Sequence, residues 1–349
     1  MLTKVGADKF LDLSLELPVI DVRSPGEYEN GHIPGAYNIP LFDDMERSVV
    51  GKKYKQVNRK AAIFAGLEFV GPKITSFVKQ ARKIARKDKI LVHCWRGGMR
   101  SETIAWLFRV AGLKPYVLTG GYQAYRKYIR EKLSAKQKMF ILGGMTGCGK
   151  TEILYEMEKQ GQQVIDLECF ANHKGSAFGA LGQKNQPSTE QFTNNLFDAW
   201  KSLDADKTVW IEDESKNIGS VTIPDELYEK ISKAPVVVVE MGKKLRIKRL
   251  VKEYSLFDPQ YLEQSIMKIQ KRLGGLNTQN CIKAVREKKF AKAIDISLTY
   301  YDKAYRFGLE KKKKRIVGSY MAKDEAIHVT TRYIIDIAKK DLKLPDSGL

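Results

Sequence analysis

Met139-Phe140-Ile141-Leu142-Gly143-Gly144-Met145-Thr146-Gly147-Cys148-Gly149-Lys150-Thr151 runs from an apolar strand into a glycine-rich loop. Glu152-Ile153-Leu154-Tyr155-Glu156-Met157 then opens a helix. From Gly144 the stretch fits G-x-x-x-x-G-K-[ST], with the flanking strand and helix that the pattern needs. The glycines let successive N–H groups turn toward phosphate oxygens, Lys150 adds a point charge, and Thr151 is placed to reach a magnesium ion. Gly144, Gly147, Gly149, Lys150 and Thr151 are therefore the expected phosphate or diphosphate site. Cys148 occupies a variable position of the loop and is given no chemical role. ATP hydrolysis does not follow, because such a cradle accepts any phosphate or diphosphate of suitable shape.

Downstream the strand–helix alternation continues through Val164-Ile165-Asp166-Leu167, Val209-Trp210-Ile211 and Val236-Val237-Val238-Val239. Alternation of this kind predicts a mostly parallel sheet. Asp213, in the cluster Glu212-Asp213-Glu214, stands either as a second acidic strand end holding a metal through water or as an ordinary acidic loop residue. His173 lies in the polar, glycine-bearing stretch Asn172-His173-Lys174-Gly175-Ser176-Ala177-Phe178-Gly179, which either lines a second site or forms a simple turn. After about Lys243 the chain reads as helical and very basic, with Leu245, Leu250, Tyr254, Ile266, Ile269, Leu273 and Ile282 as apolar positions. The run Lys311-Lys312-Lys313-Lys314-Arg315 is either solvated surface or an RNA-contacting patch.

Upstream, the polar stretch Lys132 to Lys138 separates a domain over 1–134 from one over 135–349. The first domain also alternates. Pro18-Val19-Ile20-Asp21-Val22, Ile90-Leu91-Val92-His93 and Tyr116-Val117-Leu118 read as strands, and Lys73 to Lys87 and Glu102 to Val110 as helices. The loop Cys94-Trp95-Arg96-Gly97-Gly98-Met99-Arg100-Ser101 sits between a buried strand and a helix. A thiol there gains loop N–H groups, a helix N-terminus and two guanidinium groups, all of which favour a thiolate. Cys94, Arg96 and Arg100 are the candidate catalytic set. His93 and His32 read as packing and turn residues.

The chain has 349 residues, enough for about two domains. Its 61 Lys and Arg against 41 Asp and Glu leave a net charge of +20, which favours a polyanionic partner such as nucleic acid. The four cysteines form no C-x-x-C pair, so a zinc ribbon or disulfide framework is not expected and a reducing cytoplasm fits. No signal peptide, transmembrane span or membrane role is read from the sequence.

Asp21-Val22-Arg23-Ser24-Pro25 with Glu27-Tyr28, then Gly31-His32-Ile33-Pro34-Gly35-Ala36 and Asn38-Ile39-Pro40, resembles the N-terminal half of a rhodanese domain. Cys94 stands where that fold holds its persulfide-forming cysteine. A rhodanese-like domain followed at once by a P-loop NTPase-like α/β domain with a basic helical C-terminal region resembles the bacterial tRNA 2-selenouridine synthases. Further likenesses are Leu118-Thr119-Gly120-Gly121-Tyr122, the stretch from His173 to Gly179, Glu212-Asp213-Glu214-Ser215 and Lys271-Arg272-Leu273-Gly274-Gly275.

The resemblance implies an enzyme that S-geranylates wobble 2-thiouridine in tRNA with geranyl diphosphate, then replaces the S-geranyl group with selenium from selenophosphate. Cys94 would serve the selenium step, with Arg96 and Arg100 on the selenophosphate or the thiolate. The phosphate loop would hold the diphosphate, with His173, Ser176 and Asp213 as a second group. The basic region would hold the tRNA. No tightly bound cofactor is expected. Two other readings stay open. A plain sulfurtransferase using a Cys94 persulfide would turn over thiosulfate without tRNA. A nucleotide-gated RNA-binding protein would change RNA affinity on ATP binding and leave the RNA unaltered.

Overall fold

A computed structural model of the chain describes residues 2–324 and 326–343. Two compact units result: Met1–Ser134 with Thr193–Asp198, and Ala135–Phe192 with Ala199–Leu349.

The first unit is built on β1 (Thr3–Val5), β2 (Val19–Asp21), β3 (Tyr37–Asn38), β4 (Lys89–His93) and β5 (Lys114–Leu118). They form a parallel sheet in the order β1-β5-β4-β2-β3. Successive side chains of the central strand β4 alternate between faces. Ile90 and Val92 join Phe77, Ala81, Ile104 and Phe108 in one apolar core. On the other face His93 meets the rings of Phe10 and Tyr122. The helices expected over Lys73 to Lys87 and Glu102 to Val110 are observed as Ile74–Ile84 and Met99–Val110.

The stretch Arg59–Ile84 is long and apolar enough by composition to cross a membrane. It is two helices, Arg59–Val70 and Ile74–Ile84, joined by a tighter turn at Gly71–Lys73, and Phe77 and Ala81 bury themselves in the sheet core.

The second unit is built on β6 (Met139–Gly144), β7 (Gln163–Ile165), β8 (Val209–Glu212), the short hairpin β9 (Asn217–Ile218) and β10 (Val221–Thr222), β11 (Val236–Met241) and β12 (Ile316–Ala322). Its parallel sheet has the order β12-β11-β6-β8-β7. Phe140 and Leu142 pack with Ile153, Leu154 and Met157 of the helix that follows the phosphate loop.

The strand β12 corrects the expectation of an all-helical chain after Lys243. Ile316-Val317-Gly318-Ser319-Tyr320-Met321-Ala322 pairs in parallel along β11. The helix Ile327–Lys343 then returns over it, adding Ile334, Ile335 and Ala338 to the sheet core. Between β11 and β12 the helices Lys243–Tyr254, Pro259–Lys268, Gly275–Arg286 and Phe290–Lys311 enclose a separate apolar core around Leu262, Ile266, Cys281 and Val285.

Each sheet has a strand order that reverses beside a central strand: the chain builds outward to one side, then to the other. The C-terminal end of such a strand is where open α/β sheets bind their ligands. In the first unit Cys94 follows β4; in the second the phosphate loop follows β6.

Candidate active site

Cys94 is buried at the end of β4, and its Sγ lies 3.2 Å from Ser101 Oγ. Ser101 Oγ in turn donates to Gly98 O at 3.1 Å. The hydroxyl therefore accepts from a thiol, and by rotating away from Gly98 it can donate to a thiolate. The loop is clamped by the turn after β5. Tyr122 N donates to Cys94 O at 2.8 Å and Gln123 N to Trp95 O at 3.0 Å. Gly121 has φ +59°, and a Cβ there would collide with the Cys94 carbonyl and Gly97 N. This contact gives Leu118-Thr119-Gly120-Gly121-Tyr122 its purpose: it holds the back of the cysteine loop.

Arg100, on the first turn of the helix after the cysteine loop, is held by an acidic partner. Its Nη1 pairs with Glu27 Oε2 at 2.6 Å, 73 residues earlier in the chain. Burial works against the Glu27 charge, but Arg100 and the Ser24 N–H more than offset it and hold the carboxyl below the usual range. Arg96, on the loop next to the half-buried Trp95, is exposed. His93 is fully buried with neither ring nitrogen hydrogen-bonded, and burial pushes its imidazole down despite Asp21 nearby. It packs at the strand end, as read from the sequence. Asp21 instead holds Arg23 through a buried, two-pronged pair, with the guanidinium 3.8 Å from the centre of the Tyr122 ring.

In the second unit Gly147 and Gly149 carry φ of +82° and +86°, so the loop curls as its sequence predicts. Lys150 Nζ reaches Gly144 O at 3.3 Å. Burial opposes the Lys150 charge, but the neighbouring Cys148, Glu214 and Glu168 raise its pKa above the usual lysine range. Cys148 is buried in the sheet core, and burial raises its thiol. Arg246 straps the loop to the helical half: Nη1 donates to Thr146 O at 3.1 Å, and Nη1 and Nη2 grip Asp302 at 2.8 and 2.7 Å.

The acidic neighbours of Lys150 are Glu168, which sequence reasoning passed over, and Glu214, which it named only as part of the acidic cluster. Glu168 Oε2 accepts from Thr151 Oγ1 at 3.4 Å, and Glu212 Oε1 accepts from Glu168 N at 2.7 Å. Burial and the Glu214 charge push the Glu168 carboxyl up to about 8. Burial pushes Glu212 and Glu214 up as well. Among the described residues no three His, Cys, Asp or Glu side chains form a metal-ligand set.

Of the second group named from the sequence, each member has its own partners, and the loop that carries His173 and Ser176 lies against Glu168 and Glu214 at Gly175. Asp213 pairs with Lys312, a member of the basic run. His173 lies against Gly179 and Gly219, with its imidazole pushed down by burial and by Lys268. Ser176 faces the hydroxyls of Tyr254 and Tyr301. The basic run is itself partly committed: besides Lys312, Lys313 pairs with Glu310, and Arg315 Nη1 donates to Ile231 O and Ala234 O.

Comparison with known proteins matches residues 7–128 to the rhodanese-like domain and residues 137–333 to the tRNA 2-selenouridine synthase AAA domain. The tRNA 2-selenouridine synthase of Shewanella woodyi is 35% identical, with 88% of this chain and 93% of that protein covered. The synthase of Shewanella sediminis is 36% identical over 88% and 92%, and that of Psychromonas ingrahamii 30% over 91% and 95%. With a cysteine loop on one parallel sheet, a phosphate loop on the other, and likeness to these enzymes along nearly its whole length, the chain belongs to the tRNA 2-selenouridine synthase family.

Proposed function

We propose that the protein converts 2-thiouridine at the wobble position of tRNA to 2-selenouridine in two steps. In the first, the 2-thio sulfur bonds to C1 of geranyl diphosphate. The C1–O bond breaks, diphosphate leaves with the electron pair, and the N3 proton is lost. Gly144, Gly147, Gly149, Lys150 and Thr151 hold the diphosphate, and their positive groups stabilise the leaving charge. In the second, the selenium of selenophosphate bonds to C2, the C2–S bond breaks and geranylthiol leaves with a proton, and water then cleaves the P–Se bond to release phosphate. Alkylation has a chemical reason: a thiocarbonyl sulfur leaves poorly, whereas an alkylated sulfur departs as a thiol. Cys94 serves the selenium step as nucleophile or selenium carrier, with the Ser101 hydroxyl beside the sulfur and Arg96 and Arg100 binding the selenophosphate. Neither step needs a tightly bound cofactor. The cytoplasm, with its tRNA, is the proposed compartment.

The observation that carries this reading is the pairing of Cys94 and Lys150 at the two central strand ends of a chain 35% identical to a named tRNA 2-selenouridine synthase. A thiol and a phosphate cradle suit a chalcogen transfer and a diphosphate departure. The test is mass spectrometry of tRNA nucleosides after incubation with both donors, each omitted in turn. S-geranyl nucleoside is expected with geranyl diphosphate alone, and seleno nucleoside only with both. Absence of both products sinks the reading. Cys94→Ser should abolish selenation and leave geranylation intact. Selenouridine made at the normal rate by this variant would remove Cys94 from the chemistry.

A further inference from the structure

In the first unit a helical hairpin follows the edge strand β3. It is made of Asp44–Gln56 and Arg59–Val70, joined by a turn at Val57 and Asn58. Its base is tied down. A Cβ on Gly66 would stand 3.2 Å from the Phe42 ring, so the start of the first helix meets the end of the second. Glu46 pairs with Lys73 at 2.5 Å, and Asp44 Oδ1 accepts from Gly26 N at 3.0 Å. Glu27 is shared: it holds Arg47 at 3.7 Å and Arg100, on the helix after the cysteine loop, at 2.6 Å. The 13 residues of the first helix carry the tip about 20 Å from this base.

The tip is exposed and basic. Between Glu46 and Glu68 the chain has six cations and no carboxylate. Five of the six, Lys52, Lys53, Lys55, Arg59 and Lys60, fall within residues 52–60, all of which are exposed. Among the described residues none of these five side chains has an ion-pair or hydrogen-bond partner. Fold stability accounts for only part of the pattern. Lys53 and Lys55 complement the negative end of the first helix. Arg59 and Lys60 occupy the first turn of the second helix, whose positive end disfavours cations. Tyr54 stands 62% exposed between Lys53 and Lys55. Unpaired cations around a bare aromatic ring suit the phosphates and unstacked bases of a single-stranded RNA loop. They do not suit a bilayer, because they gather at the helix ends and do not flank the exposed Phe64 and Leu67 along one face.

We propose that residues 52–60 form a tRNA-holding surface on the unit that carries Cys94, with the cations on backbone phosphates and Tyr54 stacked on an unpaired base. This surface is distinct in sequence from the basic C-terminal region. The proposal rests on the reading of tRNA as the substrate and adds where the cysteine-bearing unit grips it.

The test is filter binding of the full chain to a tRNA with wobble 2-thiouridine, across a salt series. The pair Arg59→Gln, Lys60→Gln should bind about tenfold more weakly near 0.1 M salt, with the slope of log K against log salt lower by about 1.5. Its melting temperature should not fall, because those cations oppose the helix dipole. The control pair Lys79→Gln, Lys83→Gln removes equal charge from exposed positions on the helix Ile74–Ile84 and should leave the slope unchanged. Tyr54→Ala should weaken binding about tenfold at unchanged slope, and Tyr54→Phe should bind as the wild type does. Wild-type affinity in the Arg59, Lys60 pair and in Tyr54→Ala would overturn the proposal. So would a control pair that lowers the slope equally, since net charge alone would then be at work. Binding to phosphatidylserine vesicles that the Arg59, Lys60 pair abolishes, with tRNA affinity intact, would overturn it in favour of a membrane. Nucleoside analysis of the same samples separates the surface from the reaction. Variants that lose tRNA affinity, beside a wild type that makes no S-geranyl or seleno nucleoside, support the surface and refute the reaction. Both nucleosides made at equal rates by wild type and variants at subsaturating tRNA refute the surface and leave the reaction standing. A wild type that does not bind tRNA refutes both.

Discussion

Glu168 couples the phosphate site to pH. Its carboxyl is pushed up to about 8 by burial and by Glu214, against the attraction of Lys150. In the unfolded chain an ordinary glutamate releases its proton near pH 4.3. Between these values the folded protein holds a proton that the unfolded chain has lost, so stability falls as pH rises toward and through 8. The ligand-free protein should melt at lower temperature at pH 8.5 than at pH 6. Glu168→Gln should flatten that dependence by on the order of 1 kcal/mol, about 2–4 °C in thermal melts. An unchanged pH profile in the variant would place the titration elsewhere. The acidic cluster Glu212-Asp213-Glu214 was legible as a cluster, but its roles were not. Alternation along the strand end sends Asp213 to Lys312 and leaves Glu214 with Lys150 and Glu168. Arg100 shows the same boundary of sequence reading. Its place beside Cys94 is local, whereas its partner Glu27 is brought there by the sheet.

At the scale of elements, strands that carry a motif at their end were readable, because apolar runs, glycines and a following helix coincide within a dozen residues. The strand β12 was not. Ile316–Ala322 follows a run of lysines, contains Gly318, and gains its identity only by pairing with β11, some 80 residues earlier. Its burial pattern is mixed, so period-2 alternation gives little signal. Gly318 is there for close approach: a Cβ would stand 2.6 Å from Ile337 Cγ2 on the helix that covers the sheet. Gly318→Val should therefore push the helix Ile327–Lys343 off the edge strand. The expected loss is about 1–3 kcal/mol in urea unfolding, with Ile337→Ala in the same chain recovering part of it. No loss in the single variant would show that the covering helix gives way freely. The core of the helical half escaped sequence reading for a related reason. Leu262 and Ile266 lie on one helix and Cys281 and Val285 on another, and their convergence is a property of packing.

For the whole molecule, a net charge of +20 says that a polyanion is a suitable partner, and the structure separates charges by what they already hold. Lys312 neutralises Asp213, and Arg315 caps the carbonyls of Ile231 and Ala234, so these two members of the basic run stabilise the fold. Lys271 and Lys283, exposed on the helices Gln270–Leu273 and Gly275–Arg286, remain available to phosphates. Under the proposed function tRNA affinity should fall with salt, by about 10³-fold between 50 and 200 mM if roughly six phosphates are contacted. Reversing Lys271 and Lys283 to Glu should lower the slope of log K against log salt with little change in melting temperature. Arg315→Ala should do the opposite, lowering the melting temperature and leaving the slope near its wild-type value, because that guanidinium is bonded to backbone. Filter binding across a salt series together with thermal melts distinguishes the two outcomes. A steep slope unaffected by the Lys271 and Lys283 reversals would move the tRNA-holding surface away from these helices.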